Sequence, residues 1–200
     1  MYDDVLEAYE NGYTLATHLY SAMSGVTRRN AFRYAGAIES ALLLDMDVEL
    51  ITDGIHLPPP LLKLVYKIKG ADRTALITDA MRAAGMPEGE SILGSRTNGL
   101  PVIVEDGVAK LLDRSSFAGS VATTNQLVRN MVQLADVSLL DAVRMASTTP
   151  ARIMGVDARK GSLVSGKDAD LVIFDENITI NTTIVDGRII YTKEPIATVM

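Results

Sequence analysis

The groups able to do chemistry in this chain are few, and their placement follows a pattern. His18 comes directly after the run Tyr13-Thr-Leu-Ala-Thr17, and His56 comes four residues after Val48-Glu-Leu-Ile-Thr52 by way of Asp53-Gly54-Ile55. Asp79 follows Thr74-Ala-Leu-Ile-Thr78. Each run is largely apolar, ends in Thr and then releases a polar group. If the runs are parallel strands, their carboxyl ends converge on one mouth, which is where α/β folds place their chemistry. One His can then ligate a metal and another can stabilise an oxyanion, while an Asp takes a proton from attacking water and returns it to a leaving amine. That is the chemistry of hydrolysis. A plainer reading uses the same residues, with His18 and His56 as hydrogen-bonded core groups and Asp79 as a helix N-cap. Spacing alone leaves the two readings level.

Weaker signals flank these. Gly119-Ser120, after Phe117-Ala118, reads as a helix start whose N–H groups contact an anion or substrate oxygen, or as a helix start and nothing more. Arg28 and Arg29 offer guanidinium forks that match phosphate oxygens, or simply a solvated pair. The chain shows no Ser-centred elbow, P-loop or dinucleotide glycine pattern.

The elements that must position these groups alternate between helical and strand patterns, which predicts βα units around a parallel sheet. Asp3 to Asn11 reads as a helix closed by Gly12, and a second helix is expected between Asn30 and Asp45. The triple proline Pro58 to Pro60 opens a third, with Leu61, Leu64, Val65 and Ile68 as its buried stripe and Gly70 as its stop. Leu100–Val104 and Val108–Leu112 flank Glu105-Asp106-Gly107 as an antiparallel hairpin. Ser120 to Leu134 reads as helical, Ser138-Leu-Leu-Asp141 opens a helix running to about Ser147, and Thr149-Pro150 starts a further turn ended by Gly155. Asp170–Phe174, Ile178–Val185 and Arg188–Tyr191, the last two joined by Asp186-Gly187, form a β tail. The expected division is therefore residues 1–155, an α/β unit with a hairpin insertion near 100–112, and residues 156–200, part of a small β module.

Composition narrows the function. Of 200 residues 48% are hydrophobic, enough for a packed core and against general disorder. A formal charge of -6, from 19 Lys+Arg against 25 Asp+Glu, comes with no basic block to follow a phosphate backbone, so nucleic acid is not an expected partner. No apolar run approaches the ~18 residues of a membrane span, and the acidic start MYDDVLEAYE is unlike a signal peptide. A soluble, cytoplasmic chain is expected, with no membrane partner. With no Cys, any metal must rest on His, Asp and Glu.

The segments THLYSAM (17–23), DGIHLPP (53–59), LITDAM (76–81) and FAGSVAT (117–123), in this order, resemble the N-acetylglucosamine-6-phosphate deacetylase family, and GSLVSGKDADLVIFD (161–175) is similar to the end of many amidohydrolases. The resemblance covers essentially the whole chain. It implies a metal-dependent (β/α)8 barrel of which this chain is the carboxyl-terminal part, its last βα units followed by strands of a small β-sandwich. It implies hydrolysis of an N-acetyl amino-sugar phosphate to the free amine and acetate, with a divalent metal, zinc or iron, as cofactor. In the matching positions His18 is implied as a metal ligand, His56 as a substrate contact and Asp79 as the catalytic acid/base. Arg29 is implied as a phosphate ligand, often reaching across a dimer interface. Ser21 and Ala22 line the phosphate pocket, Ser21 standing where Asn is more usual, and Ala118 and Gly119 line the substrate pocket. The family's other metal ligands, a His-x-His pair, a Glu and a further His, have no counterpart here. A homo-oligomer or a complementary amino-terminal half is therefore the expected partner. The competing expectations are a related amidohydrolase acting on another N-acyl sugar or cyclic amide, and a catalytically silent folding unit.

Overall fold

The computed structural model describes residues 1–193. Helix α1 (Tyr2–Glu10) leads into β1 (Leu15–Ala16), followed by a hairpin of β2 (Thr27–Arg29) and β3 (Phe32–Tyr34) and by α2 (Ala37–Leu43). Then come β4 (Asp47–Leu50), α3 (Pro59–Lys69) and β5 (Thr74–Leu76). β1, β4 and β5 form a parallel sheet in that order, Ala16 opposite Val48 and Leu50 opposite Leu76. The three runs read as strands are thus neighbours in one sheet, as the βα period requires.

An antiparallel meander follows, β6 (Gly89–Leu93), β7 (Leu100–Glu105) and β8 (Val108–Leu111). The expected hairpin is its second half; β6 carries no alternating apolar pattern and was not legible. Helices α4 (Thr124–Ala135), α5 (Leu139–Ala146) and α6 (Thr148–Ile153) pack back on the sheet, and β9 (Leu171–Phe174), β10 (Ile180–Val185) and β11 (Arg188–Thr192) close the described chain as an antiparallel sheet. Residues 194–200 of the expected β module lie outside the described residues.

Three expectations need correction. The helix expected from Asn30 begins at Ala37, because Asn30 and Ala31 take left-handed backbone (φ 48° and 71°) and make a two-residue turn that pairs Arg29 with Phe32 and Thr27 with Tyr34. Its start is then fixed by Glu39, whose carboxylate accepts the Gly36 N–H at 2.8 Å. The helix expected from Ser120 begins at Thr124, because Ser120 belongs to the sheet through a parallel bridge to Ala80. The buried face of α3 is Leu62, Val65 and Lys69, with Leu64 and Ile68 exposed. Lys69 completes that face because its Nζ donates to the carbonyls of Leu44 at 2.6 Å and Met46 at 2.9 Å, which satisfies a buried ammonium. Burial, and then the neighbouring charge of Arg73, lower its pKa.

One core joins Val48 and Leu50 of β4, Leu62 and Val65 of α3, Leu127 and Met131 of α4 and Met145 of α5. Ile178, between β9 and β10, is buried against it, and Arg129 of α4 donates to the carbonyls of Asn177 and Ile178. A second, smaller core lies between the meander and Met81, Ala83 and Ala118.

Candidate functional site

Each polar strand exit is held by bonds from a neighbouring segment. The Leu19 N–H donates to the Glu49 carbonyl at 2.8 Å, carrying the β1–β4 pairing past His18, whose φ is 37°. At the end of β4 the buried Thr52 hydroxyl donates to the Leu127 carbonyl at 3.1 Å, and the Asn130 amide donates to the Thr52 carbonyl at 2.9 Å. Helix α4 therefore fixes the point from which the Asp53–His56 turn departs. Beyond β5, Ile77 N–H donates to the Leu50 carbonyl at 3.0 Å, and Asp79 turns out of the sheet at φ 46°.

Asp79 is locked by the segment 117–120. Ser120 N–H donates to the Asp79 carbonyl at 2.9 Å, and Met81 N–H donates to the Ser120 carbonyl at 2.8 Å. On its other side this segment joins the meander, where Ala118 N–H donates to the Ala109 carbonyl at 2.9 Å. Gly119 sits between the two pairings at φ 80°, and a Cβ there would lie 3.3 Å from the Asp79 carbonyl oxygen. Only glycine combines that backbone with that approach. The Gly119-Ser120 pair is therefore not a helix N-terminus, and the Ser120 N–H is committed to the sheet rather than open to an anion.

The exits meet in one pocket of about 350 Å³, lined by His18, Tyr20, Ser21, Ala22, His56, Asp79, Ser116, Phe117 and Gly119. Six residues singled out from sequence line it together. Two do not. Ala118 is buried beneath it in the second core. Arg29 lies on the exposed β2–β3 hairpin, its guanidinium 6.0 Å from the Tyr34 ring centroid. A larger groove of about 680 Å³ between α4, α5 and the β9–β10 sheet is mostly apolar and has Arg144 as its one ionisable lining residue, so it offers no comparable chemistry.

Sequence reasoning gave no role to Tyr20 or Ser116 of the pocket lining, nor to Asp53, which is buried beside His56 and does not itself line the pocket. Asp53 Oδ1 accepts the N–H groups of Ile55 at 2.9 Å and His56 at 2.8 Å, and its Oδ2 lies 2.6 Å from His56 Nδ1. Burial pushes its pKa upward, but the His56 ring and the two backbone donors outweigh that and hold it below the ordinary carboxylate value. The Phe117 ring packs on His56 with centroids 4.7 Å apart. The signal available in sequence was an acidic residue three positions before a histidine, across a glycine.

Buried His18 Nδ1 has no hydrogen-bond partner. Such an orphaned nitrogen fits a metal ligand, yet among the described residues no three His, Asp or Glu side chains come together as a metal site. A catalytic zinc normally takes about three protein ligands. The donors of this chain alone do not fit a resident metal. Among the described residues no helix is long and apolar enough to cross a membrane.

Residues 1–190 match the amidohydrolase family. The N-acetylglucosamine-6-phosphate deacetylase of Lysinibacillus sphaericus is 40% identical over 189 residues, covering 94% of this chain and 46% of the relative. The crystal structure of the Pasteurella multocida N-acetylglucosamine-6-phosphate deacetylase superposes with a TM-score of 0.85 at 32% identity, over 94% of this chain and 47% of that one. A mutant of the Mycobacterium smegmatis enzyme, solved in complex with N-acetyl-D-glucosamine-6-phosphate, gives 0.85 at 32% identity, over 96% and 49%. The chain thus spans about half the length of the curated relatives it matches.

Proposed function

The chain belongs to the amidohydrolase family, and on that premise we propose that its pocket is one half of a site that hydrolyses the N-acetyl group of N-acetylglucosamine-6-phosphate to glucosamine-6-phosphate and acetate. The observation that carries the reading is the convergence of His18, His56 and Asp79, with Ser21, Ala22 and Gly119, in one pocket at the ends of three parallel strands. In this reading residues 1–155 are the last βα units of a (β/α)8 barrel, the segment at 120 taking the next strand position after β5, and residues 156–200 belong to a small β-sandwich.

Within that site Asp79 acts as the general base. Its carboxylate takes a proton from water as the water oxygen attacks the acetyl carbon, and returns it to the nitrogen as the C–N bond breaks. The exit position leaves the Asp79 side chain exposed while its backbone is fixed by Ser120. His56 faces the acetyl carbonyl and stabilises the negative charge that develops on its oxygen. Ser21 and Ala22 meet the sugar phosphate, and Arg29, which its hairpin holds clear of this pocket, serves the pocket of a second copy. The superfamily is generally metal-dependent. His18 is the one donor this chain places for a metal, and the mechanism above takes no step through one.

The test is a chimera in which this chain replaces the matching part of the Lysinibacillus sphaericus relative, assayed for acetate release from N-acetylglucosamine-6-phosphate. Turnover is expected. A chimera that is folded by circular dichroism and binds the sugar phosphate but releases no acetate overturns the assignment.

A further inference from the structure

Resting on the reading of His56 as the substrate-facing histidine, we propose that Asp53 is a positioning residue that fixes the neutral imidazole proton of His56 on Nδ1 and leaves Nε2 as the nitrogen offered to the pocket. The division of labour within its carboxylate is what carries this. Oδ1 is committed to two backbone donors, the N–H groups of Ile55 and His56, and these hold the turn that follows β4. Oδ2 is left for the ring, 2.6 Å from Nδ1. The two side chains are 2% and 6% exposed, so water does not compete for the contact. An ionised carboxylate only accepts hydrogen bonds, so Nδ1 is the donor. Nε2 has no hydrogen-bond partner among the described residues, and Phe117 packing at 4.7 Å limits the ring's freedom to turn.

The consequence is chemical. In the neutral ring Nε2 is a bare acceptor, and it becomes a donor to a carbonyl oxygen only when the ring takes a second proton. Asp53 touches no substrate; it decides which face and which protonation pattern His56 presents.

Asp53→Asn separates this role from support of the turn. The amide oxygen replaces Oδ1 and keeps both backbone bonds, while the amide NH2 replaces Oδ2 and can only donate to Nδ1, which forces the ring proton to Nε2. The experiment is a long-range 1H–15N spectrum of the full chain labelled with 15N-histidine, recorded above the ordinary histidine titration range. The chain contributes two imidazoles. One ring protonated on Nδ1 and bare on Nε2 is expected, and in Asp53→Asn that signature is lost while far-UV circular dichroism is unchanged. Two rings protonated on Nε2 in the unsubstituted chain overturn the proposal, and that measurement needs no variant. Persistence of the Nδ1-protonated ring in Asp53→Asn overturns it equally. The spectrum reports on His56 whether or not acetate is released, so a silent chimera counts against the proposed activity and not against this pairing.

Discussion

At the residue scale, the proposed reading separates groups whose function would depend on protonation from those that would bind. Asp79 is the sharpest case. Its φ of 46° is a conformation that Asn adopts readily, so Asp79→Asn preserves the backbone as well as the size of the side chain. The amide cannot accept the proton of attacking water, so in the chimera kcat should fall by orders of magnitude with KM little changed. Near-normal kcat in steady-state assays would end the assignment. Arg29 should behave in the opposite way. Loss of a charge-assisted phosphate contact costs about 2 kcal/mol, so Arg29→Ala should raise KM for the phosphorylated sugar by roughly 30-fold and leave an unphosphorylated sugar almost unaffected. Equal losses on both substrates would mark Arg29 as structural. His18, His56 and Asp79 were legible in the sequence because each lies within four residues of the Thr that ends an apolar, strand-like run. Asp53 was not, because its role depends on how two carboxylate oxygens are shared between a turn and a ring, and that sharing exists only once the turn is built.

At the scale of elements, the parallel strands and most helices follow from periodicity and from stop signals such as Gly70 and the prolines before α3. What the pattern misjudged was local competition. Asn30 and Ala31 turn the chain into a hairpin where a helix was expected to begin, and a turn lacking glycine carries little sequence signal. In α3 the apolar stripe pointed to Leu64 and Ile68, whereas the buried face uses Leu62 and the satisfied Lys69. A reading that counts only apolar residues passes over a buried lysine. The two faces make distinct predictions. Leu62 is 0% exposed, so Leu62→Ala should destabilise the chain by about 2–5 kcal/mol. Leu64 is 43% exposed, so Leu64→Ala should cost less than about 1 kcal/mol. Urea midpoints of the two variants check the assignment, and similar midpoints would mean that α3 is rotated in its seat.

At the scale of the whole molecule, the chain combines a well-packed core with surfaces that look built to be covered. Leu140 is 70% exposed and Leu163 79%, both lining the apolar groove beside the terminal sheet, and β1 pairs on one side only. Open strand edges and apolar patches of this kind favour association. In the proposed reading the pocket is similarly partial: His18 is the one metal donor it offers, whereas a catalytic metal normally takes about three protein ligands, and among the described residues no such group comes together. In that reading, recruiting His56 and Asp79 as substitute ligands would remove the oxyanion contact and the proton shuttle. The purified chain alone should therefore bind Zn2+ or Fe2+ weakly and below one ion per chain in equilibrium dialysis, release no acetate from N-acetylglucosamine-6-phosphate, and sediment as a particle larger than a monomer. Steady turnover by a strictly monomeric preparation holding one metal per chain would refute this, because the chain would then have assembled from its own side chains a ligand set that its described donors do not form.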